Sequence, residues 1–266
     1  MQLGIAMVLL EHDAPVDLRA LRDSLARNWP DLPPATNFKQ ADNTISFDLG
    51  ANNVILGKMP APIPWSDLEG PCATSILWPT ATQDVPRHRL HWIVTAMGDL
   101  NPLPLSTLLT QATAALVEAC PAAMGVYWGN ATLLVPKQIF CEFARDILPH
   151  GPPVFIWVDF RVGRDSPQTT AGFTTGMAAL GHMEFETRNC PEAPGDLRER
   201  LVALVNYVLE HGPVIRDGDT VGEDEHERIR VDFKPSSFGQ ERTVMRLDYQ
   251  RSSPKKPWRQ FWLAAF

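Results

Sequence analysis

Two stretches with helical periodicity, 16–28 and 104–120, each stand between apolar runs of strand length. That order limits the fold more than any other feature of this 266-residue chain. In the first, Leu18, Leu21 and Leu25 recur at helical spacing, and Asp13 is placed to cap the start. In the second, proline occupies the first turn, and Leu105, Leu108, Leu109, Ala112 and Leu116 form one stripe. The apolar run 3–10 ends at Glu11 and reads as a strand. Ile45, Phe47 and Leu49 then alternate, Gly50-Ala51-Asn52-Asn53 supplies a turn, and 54–58 returns as the second arm of a hairpin. An irregular stretch, 60–87, carries Trp65 and Trp78. Strands at 90–97 and 124–128 flank the second helix. Strand, helix, hairpin, strand, helix, strand is the order of a ferredoxin-like sandwich.

The second half continues the alternation. It contains a helix at 136–147, a strand at 154–161, and a Gly/Thr-rich stretch at 173–180 that leads into a short helix. A strand at 182–187 and a helix at 196–210 follow, the helix with Leu197, Leu201, Leu204, Val205 and Val208 turned inward. Strands are expected at 228–233 and 243–249. The class expected is α+β: a ferredoxin-like first half with a mixed or antiparallel sheet, extended by a second α+β half. The halves are 1–130 and 131–266, or one continuous domain.

Composition narrows the function classes. A net charge of -7 and a pI near 5.5 give no support for a basic nucleic-acid surface. The first apolar run has no basic flank and reads as a strand, not a signal peptide, and no apolar stretch approaches the roughly 20 residues of a membrane helix. Cys72, Cys120, Cys141 and Cys190 form no CxxC pair. The expected setting is the cytoplasm, with reduced thiols. The chain has no GxSxG elbow, HExxH helix or Walker loop. No catalytic residue and no cofactor are expected.

Four groups of residues are candidates for a site. His182, Glu184 and Glu186 share one face if 182–187 is a strand, and one imidazole with two carboxylates could hold a divalent metal or serve acid–base chemistry. The plainer reading puts Met183 and Phe185 in the core and the charged face in water. His88 and His91, beside Arg87 and Arg89, read as packing residues at the edge of the core. Asp217, Asp219, Glu223, Asp224, Glu225 and Glu227 form a dense acidic loop whose spacing does not fit a calcium site. It is either a solvated loop or a docking surface for a basic protein. The tail carries Lys255, Lys256, Trp258, Arg259, Phe261, Trp262 and Phe266. These are interface-type anchors, or a segment that folds back over an apolar patch of its own domain.

Two segments carry a family resemblance. One is Gly125-Val126-Tyr127-Trp128-Gly129 with Leu133-Leu134-Val135-Pro136. The other runs from Thr174-Thr175-Gly176-Met177 through Leu180-Gly181-His182-Met183-Glu184-Phe185-Glu186. The chain resembles a bacterial family catalogued only as a domain of unknown function, DUF4261, whose members carry a similar Thr-x-Gly-Leu-x-x-Leu-Gly-x-x-Glu-Leu-Glu run. Met177 and Phe185 stand where leucines are usual. Some members resemble immunity proteins encoded beside type VI secretion toxins. The resemblance implies a non-enzymatic protein that binds and neutralises a cognate toxin, a nuclease among the candidates, with no metal. For such a partner the acidic loop Asp217, Asp219, Glu223, Asp224, Glu225 and Glu227, with Trp258, Arg259 and Trp262 of the tail, is the candidate contact surface read from the residues. The alternatives are a metal-assisted hydrolase built on His182, Glu184 and Glu186, and a regulatory binding module with no link to a toxin.

Overall fold

The first apolar run becomes β1 (Gln2–Leu10), and its strict alternation decides how the first sheet is dressed on its two faces. The computed structural model describes residues 2–222 and 227–249. The chain divides into two units, Met1–Trp157 and Val158–Phe266, each with its own sheet.

In the first unit β1 is followed by α1 (Leu18–Asn28), β2 (Ala35–Ala41), β3 (Thr44–Leu49), β4 (Asn52–Met59), α2 (Trp65–Thr74) and α3 (Ala81–Asp84). After these come β5 (Leu90–Gly98), α4 (Pro102–Ala119), β6 (Ala123–Trp128), β7 (Leu133–Pro136), α5 (Lys137–Glu142) and the single turn α6 (Val154–Trp157). The 7-stranded sheet has the order β2-β3-β4-β5-β1-β6-β7. Its middle, β6-β1-β5-β4, is antiparallel throughout and is the strand order of the ferredoxin-like arrangement. The β2–β3 hairpin lengthens one edge and β7 the other.

The helix caps differ from the sequence reading. Asp17, not Asp13, caps α1, its Oδ1 accepting from the Arg19 and Ala20 backbone N–H at 2.9 and 3.0 Å. Asp13 lies too far ahead of the first turn and pairs instead with Lys58 Nζ at 2.6 Å. Helix α4 lies against β1 and β5 with its expected stripe buried. The approach is close, because a Cβ on Gly4 would stand 3.2 Å from Leu109 Cδ2. Gly4, Ala6, Val8 and Leu10 therefore face the helices, and Leu3, Ile5, Met7 and Leu9 face the other way.

One end of that other face is covered by the stretch expected to be irregular, which holds α2 and α3. Leu9 packs there with Ile63, Leu68, Cys72, Trp78, Ala81, Val85 and Leu134. A side chain on Gly125 would collide with the Trp78 ring, so the glycine is what lets the indole lie on β6. His88 and His91 tie the cover down, as packing residues. His88 Nε2 accepts from the Ile63 N–H at 2.9 Å while its Nδ1 donates to the Val85 carbonyl at 2.6 Å, and His91 Nδ1 lies 2.9 Å from the Ala61 carbonyl.

Two further expectations need correction. The strand expected at 154–161 starts only at Asp159, because Val154–Trp157 coils after Pro152-Pro153 and Trp157 Nε1 donates to Thr110 Oγ1 at 2.8 Å. Residues 131–157, placed by the sequence reading with the second half, sit in the first unit, where β7 pairs with β6. All four cysteines are buried free thiols; burial pushes Cys72 up to about 11 and Cys141 up to about 12.

The second unit holds β8 (Asp159–Arg164), β9 (Thr170–Thr175), β10 (Phe185–Cys190), α7 (Pro194–His211), β11 (Thr220–Val221), β12 (Ile229–Pro235) and β13 (Thr243–Asp248). The 6-stranded sheet has the order β11-β12-β13-β10-β9-β8, with β10 and β13 parallel and the other pairs antiparallel. Helix α7 packs on β8 and β9 through Leu197, Leu201, Leu204, Val205 and Val208, all 5% exposed or less. Among the described residues, no helix is long and apolar enough to cross a membrane.

Candidate functional site

The run from Thr174 to Glu186 closes β9, turns, and opens β10. Gly176 and Gly181 have φ of +122° and +86°, backbone that L side chains rarely adopt, and they bracket a 3-10 turn, Met177–Leu180. Glu184 reaches back over this turn. Its Oε1 accepts from the Gly176 and Ala178 N–H at 2.8 and 3.1 Å, and its Oε2 accepts from the Thr174 hydroxyl at 2.7 Å. Thr174 Oγ1 in turn accepts from the Phe185 N–H at 2.9 Å. The carboxylate therefore caps the turn and fixes the entry into the strand.

Glu186 does similar work on its other neighbours. It lies opposite Arg246 in the parallel β10–β13 pair, and Arg246 Nε and Nη2 approach its Oε1 at 2.8 and 2.7 Å. Ser236 Oγ donates at 2.7 Å, Ser237 Oγ at 3.0 Å and the Ser237 N–H at 3.1 Å. The expectation that these charges face water is overturned. Glu184 is 7% and Glu186 1% exposed, and both are buried because donors from the turn, from 236–237 and from β13 replace water. Nor do the three candidate residues form a triad. His182 precedes the strand, and its half-buried ring is held below its ordinary pKa by desolvation. Among the described residues no group of three or more His, Cys, Asp and Glu side chains is placed to hold a metal ion.

The described part of the acidic loop is engaged in the same manner. Asp217 Oδ1 accepts from the Phe233 N–H at 2.7 Å, and Asp219 Oδ2 from the Arg216 N–H at 2.9 Å. Glu227 meets Arg200 of α7 through both oxygens at 2.8 and 2.9 Å, and Arg200 Nε also donates to Glu192 at 2.8 Å. Glu223, Asp224 and Glu225 lie outside the described residues, as do Trp258, Arg259 and Trp262 of the tail.

A different surface stands out in the first unit. Beyond the α2–α3 cover, the sheet face carries Leu3 opposite Met97, Ile5 opposite Thr95, and Met7 opposite Ile93, with Ile55 beside Thr95 and Tyr127 beside Met7. Leu3 is 54% and Ile5 37% exposed, and the others are partly buried. Trp65, at the start of α2, is 42% exposed. A largely apolar sheet face and an exposed indole are the material of protein interfaces. Sequence reasoning treated 3–10 only as a strand. Its signal was there: apolar residues on both alternating faces of one strand.

Residues 173–248 match the family model of a domain of unknown function (DUF4261). The resemblance read from Thr174–Glu186 is thereby supported over that region, while the segment Gly125–Pro136 lies outside it. No curated protein and no solved structure matches the chain.

Proposed function

We propose that this chain acts by binding another protein, as an immunity protein that neutralises a secreted type VI toxin. The observation that carries the binding reading is the open apolar face of the first sheet, centred on Leu3 and Ile5. Apolar side chains exposed together on a rigid sheet gain from association what they lose by facing water, about 25 cal/mol per Å2 covered before the costs of binding are taken off. The engaged state of Glu184 and Glu186 agrees with a role outside acid–base chemistry, since each carboxylate already accepts several hydrogen bonds. The step from binding to toxin immunity rests on the resemblance.

The test is a pulldown of the tagged chain from its native lysate, beside the product of the adjacent gene, with wild type and a Leu3→Asp, Ile5→Asp double variant. A saturable complex with a toxic neighbour, weakened tenfold or more (on the order of 1.4 kcal/mol) in the double variant at unchanged circular dichroism, is the expected result. Charge reversal at Asp224 and Glu225 should weaken such a complex chiefly through its on-rate and salt dependence, if the acidic loop contributes. No partner at low salt, or a complex indifferent to the sheet-face variant, sinks the reading.

A further inference from the structure

The first unit holds a cleft of about 400 Å3 between the loop that follows α1, the β3–β4 turn and the first half of α4. We propose that it binds an uncharged, mostly apolar small molecule that presents a carboxamide or lactam edge to Gln111. Gln111 is 8% exposed, its side chain lines the cleft, and among the described residues it makes no hydrogen bond. Neither atom of its amide is sealed off from the cleft, so both are open to a ligand able to pair with them. Thr107, one turn earlier on the same helix face, also lines the cleft, and among the described residues no hydrogen bond engages its hydroxyl.

Several neighbouring polar side chains are engaged by the protein itself. Thr110 and Thr113 donate to the Ser106 and Leu109 carbonyls at 2.8 and 2.7 Å, and the Asn28 amide is held by Glu118 Oε2 at 3.2 Å. The walls set the ligand class. Leu32, Pro33, Leu49, Leu100 and Leu108 supply an apolar lining, and the one charged residue along it, Asp31, is exposed. Nothing there compensates a buried anion. The volume lies within the range of roughly 300–1,000 Å3 usual for small-molecule sites. An amide presents a donor beside an acceptor, so a second amide edge satisfies both at once, which a carboxylate or a hydrocarbon cannot do. The inference is independent of the partner-binding reading.

The experiment is ligand-observed NMR titration of the full chain with benzamide, 2-piperidone, benzoate and ethylbenzene, on wild type, Gln111→Leu and Thr107→Val. Saturable binding of the two amides is expected, with benzoate excluded. Affinity should fall about tenfold in Gln111→Leu and about threefold in Thr107→Val, the worth of one to two hydrogen bonds. Amides that fail to bind at millimolar concentration, equal affinity in Gln111→Leu, or binding by ethylbenzene alone overturns the proposal. If Gln111→Leu fails to fold, the benzamide-to-benzoate ratio on wild type and the Thr107→Val titration decide it.

Discussion

Glu186 in the second unit and Gln111 in the first are both more than nine-tenths buried, and they differ in what surrounds them. Glu186 accepts from Arg246, Ser236 and Ser237, while the Gln111 amide meets none of its possible partners among the described residues. The contrast separates two meanings of a buried polar group. One that is saturated by its own chain is part of how the chain folds. One that the chain leaves unpaired at the edge of a cleft stays available to whatever enters it. On this ground the Thr174–Glu186 run, the most motif-like stretch of the sequence, is an architectural device, and the plainer stretch Thr107–Gln111 is the one that looks outward.

The largest effect that would break this contrast is at Glu186. Glu186→Ala removes the charge partner of Arg246 and leaves its Nε and the Ser237 N–H without their acceptor, and it should cost about 3 kcal/mol, read as a lower urea midpoint by far-UV circular dichroism. A loss under about 1 kcal/mol would mean that water replaces the carboxylate and that its saturation is incidental. Glu184→Gln comes next. The amide oxygen can still accept from Gly176 and Ala178, but its NH2 now faces the Thr174 hydroxyl, which already accepts from the Phe185 N–H. A cost of about 1–2 kcal/mol is expected in the same assay, and activity with added divalent metal in wild type that vanishes in this variant would revive the hydrolase alternative.

How much of this was legible follows from what periodicity can carry. The ferredoxin-like core was readable because its strands and its helix α4 are apolar on the period of their own geometry. The edge strand β2, Ala-Thr-Asn-Phe-Lys-Gln-Ala, was missed because an edge strand exposed along most of its length has no apolar pattern to display. Helix α2 was missed because Gly70 and Pro71 interrupt it. Val-Phe-Ile-Trp at 154–157 read as a strand because a short apolar run does not distinguish a buried turn of helix from a buried strand. The burial of Glu186 was illegible for a stronger reason: its donors come from 50 to 60 residues away. Gln111 left a trace, a glutamine one turn after a threonine within an apolar helix, but the cleft that gives it meaning needs residues from 28 to 149.

A smaller effect tests the cover that shields one end of the open sheet face. Burial holds His91 below its ordinary value of 6.5, so the folded chain binds fewer protons than the unfolded one. Its contribution is fully present above about 6.5 and is lost as pH falls through the depressed folded value. The Tm should therefore decline from pH 7 toward pH 5.5, and His91→Gln should flatten part of that decline. A slope unchanged in His91→Gln would assign it to other groups, His182 first, whose value is shifted the same way.

The smallest effect is the most informative, because its sign is opposite to that at Glu186. Gln111→Leu removes an amide that satisfies nothing and adds a branched aliphatic side chain among Leu32, Leu49 and Leu108. Replacing an unpartnered buried polar group by an apolar one of similar size is neutral or stabilising, here by up to about 1 kcal/mol. The urea midpoint should hold or rise. A fall of 1 kcal/mol or more would show that the amide has a structural partner, a bound water included, and would place Gln111 with Glu186 among the saturated groups. A rise together with the loss of amide binding would mark a chain that gives up stability at one position to keep a site open, as functional positions commonly do.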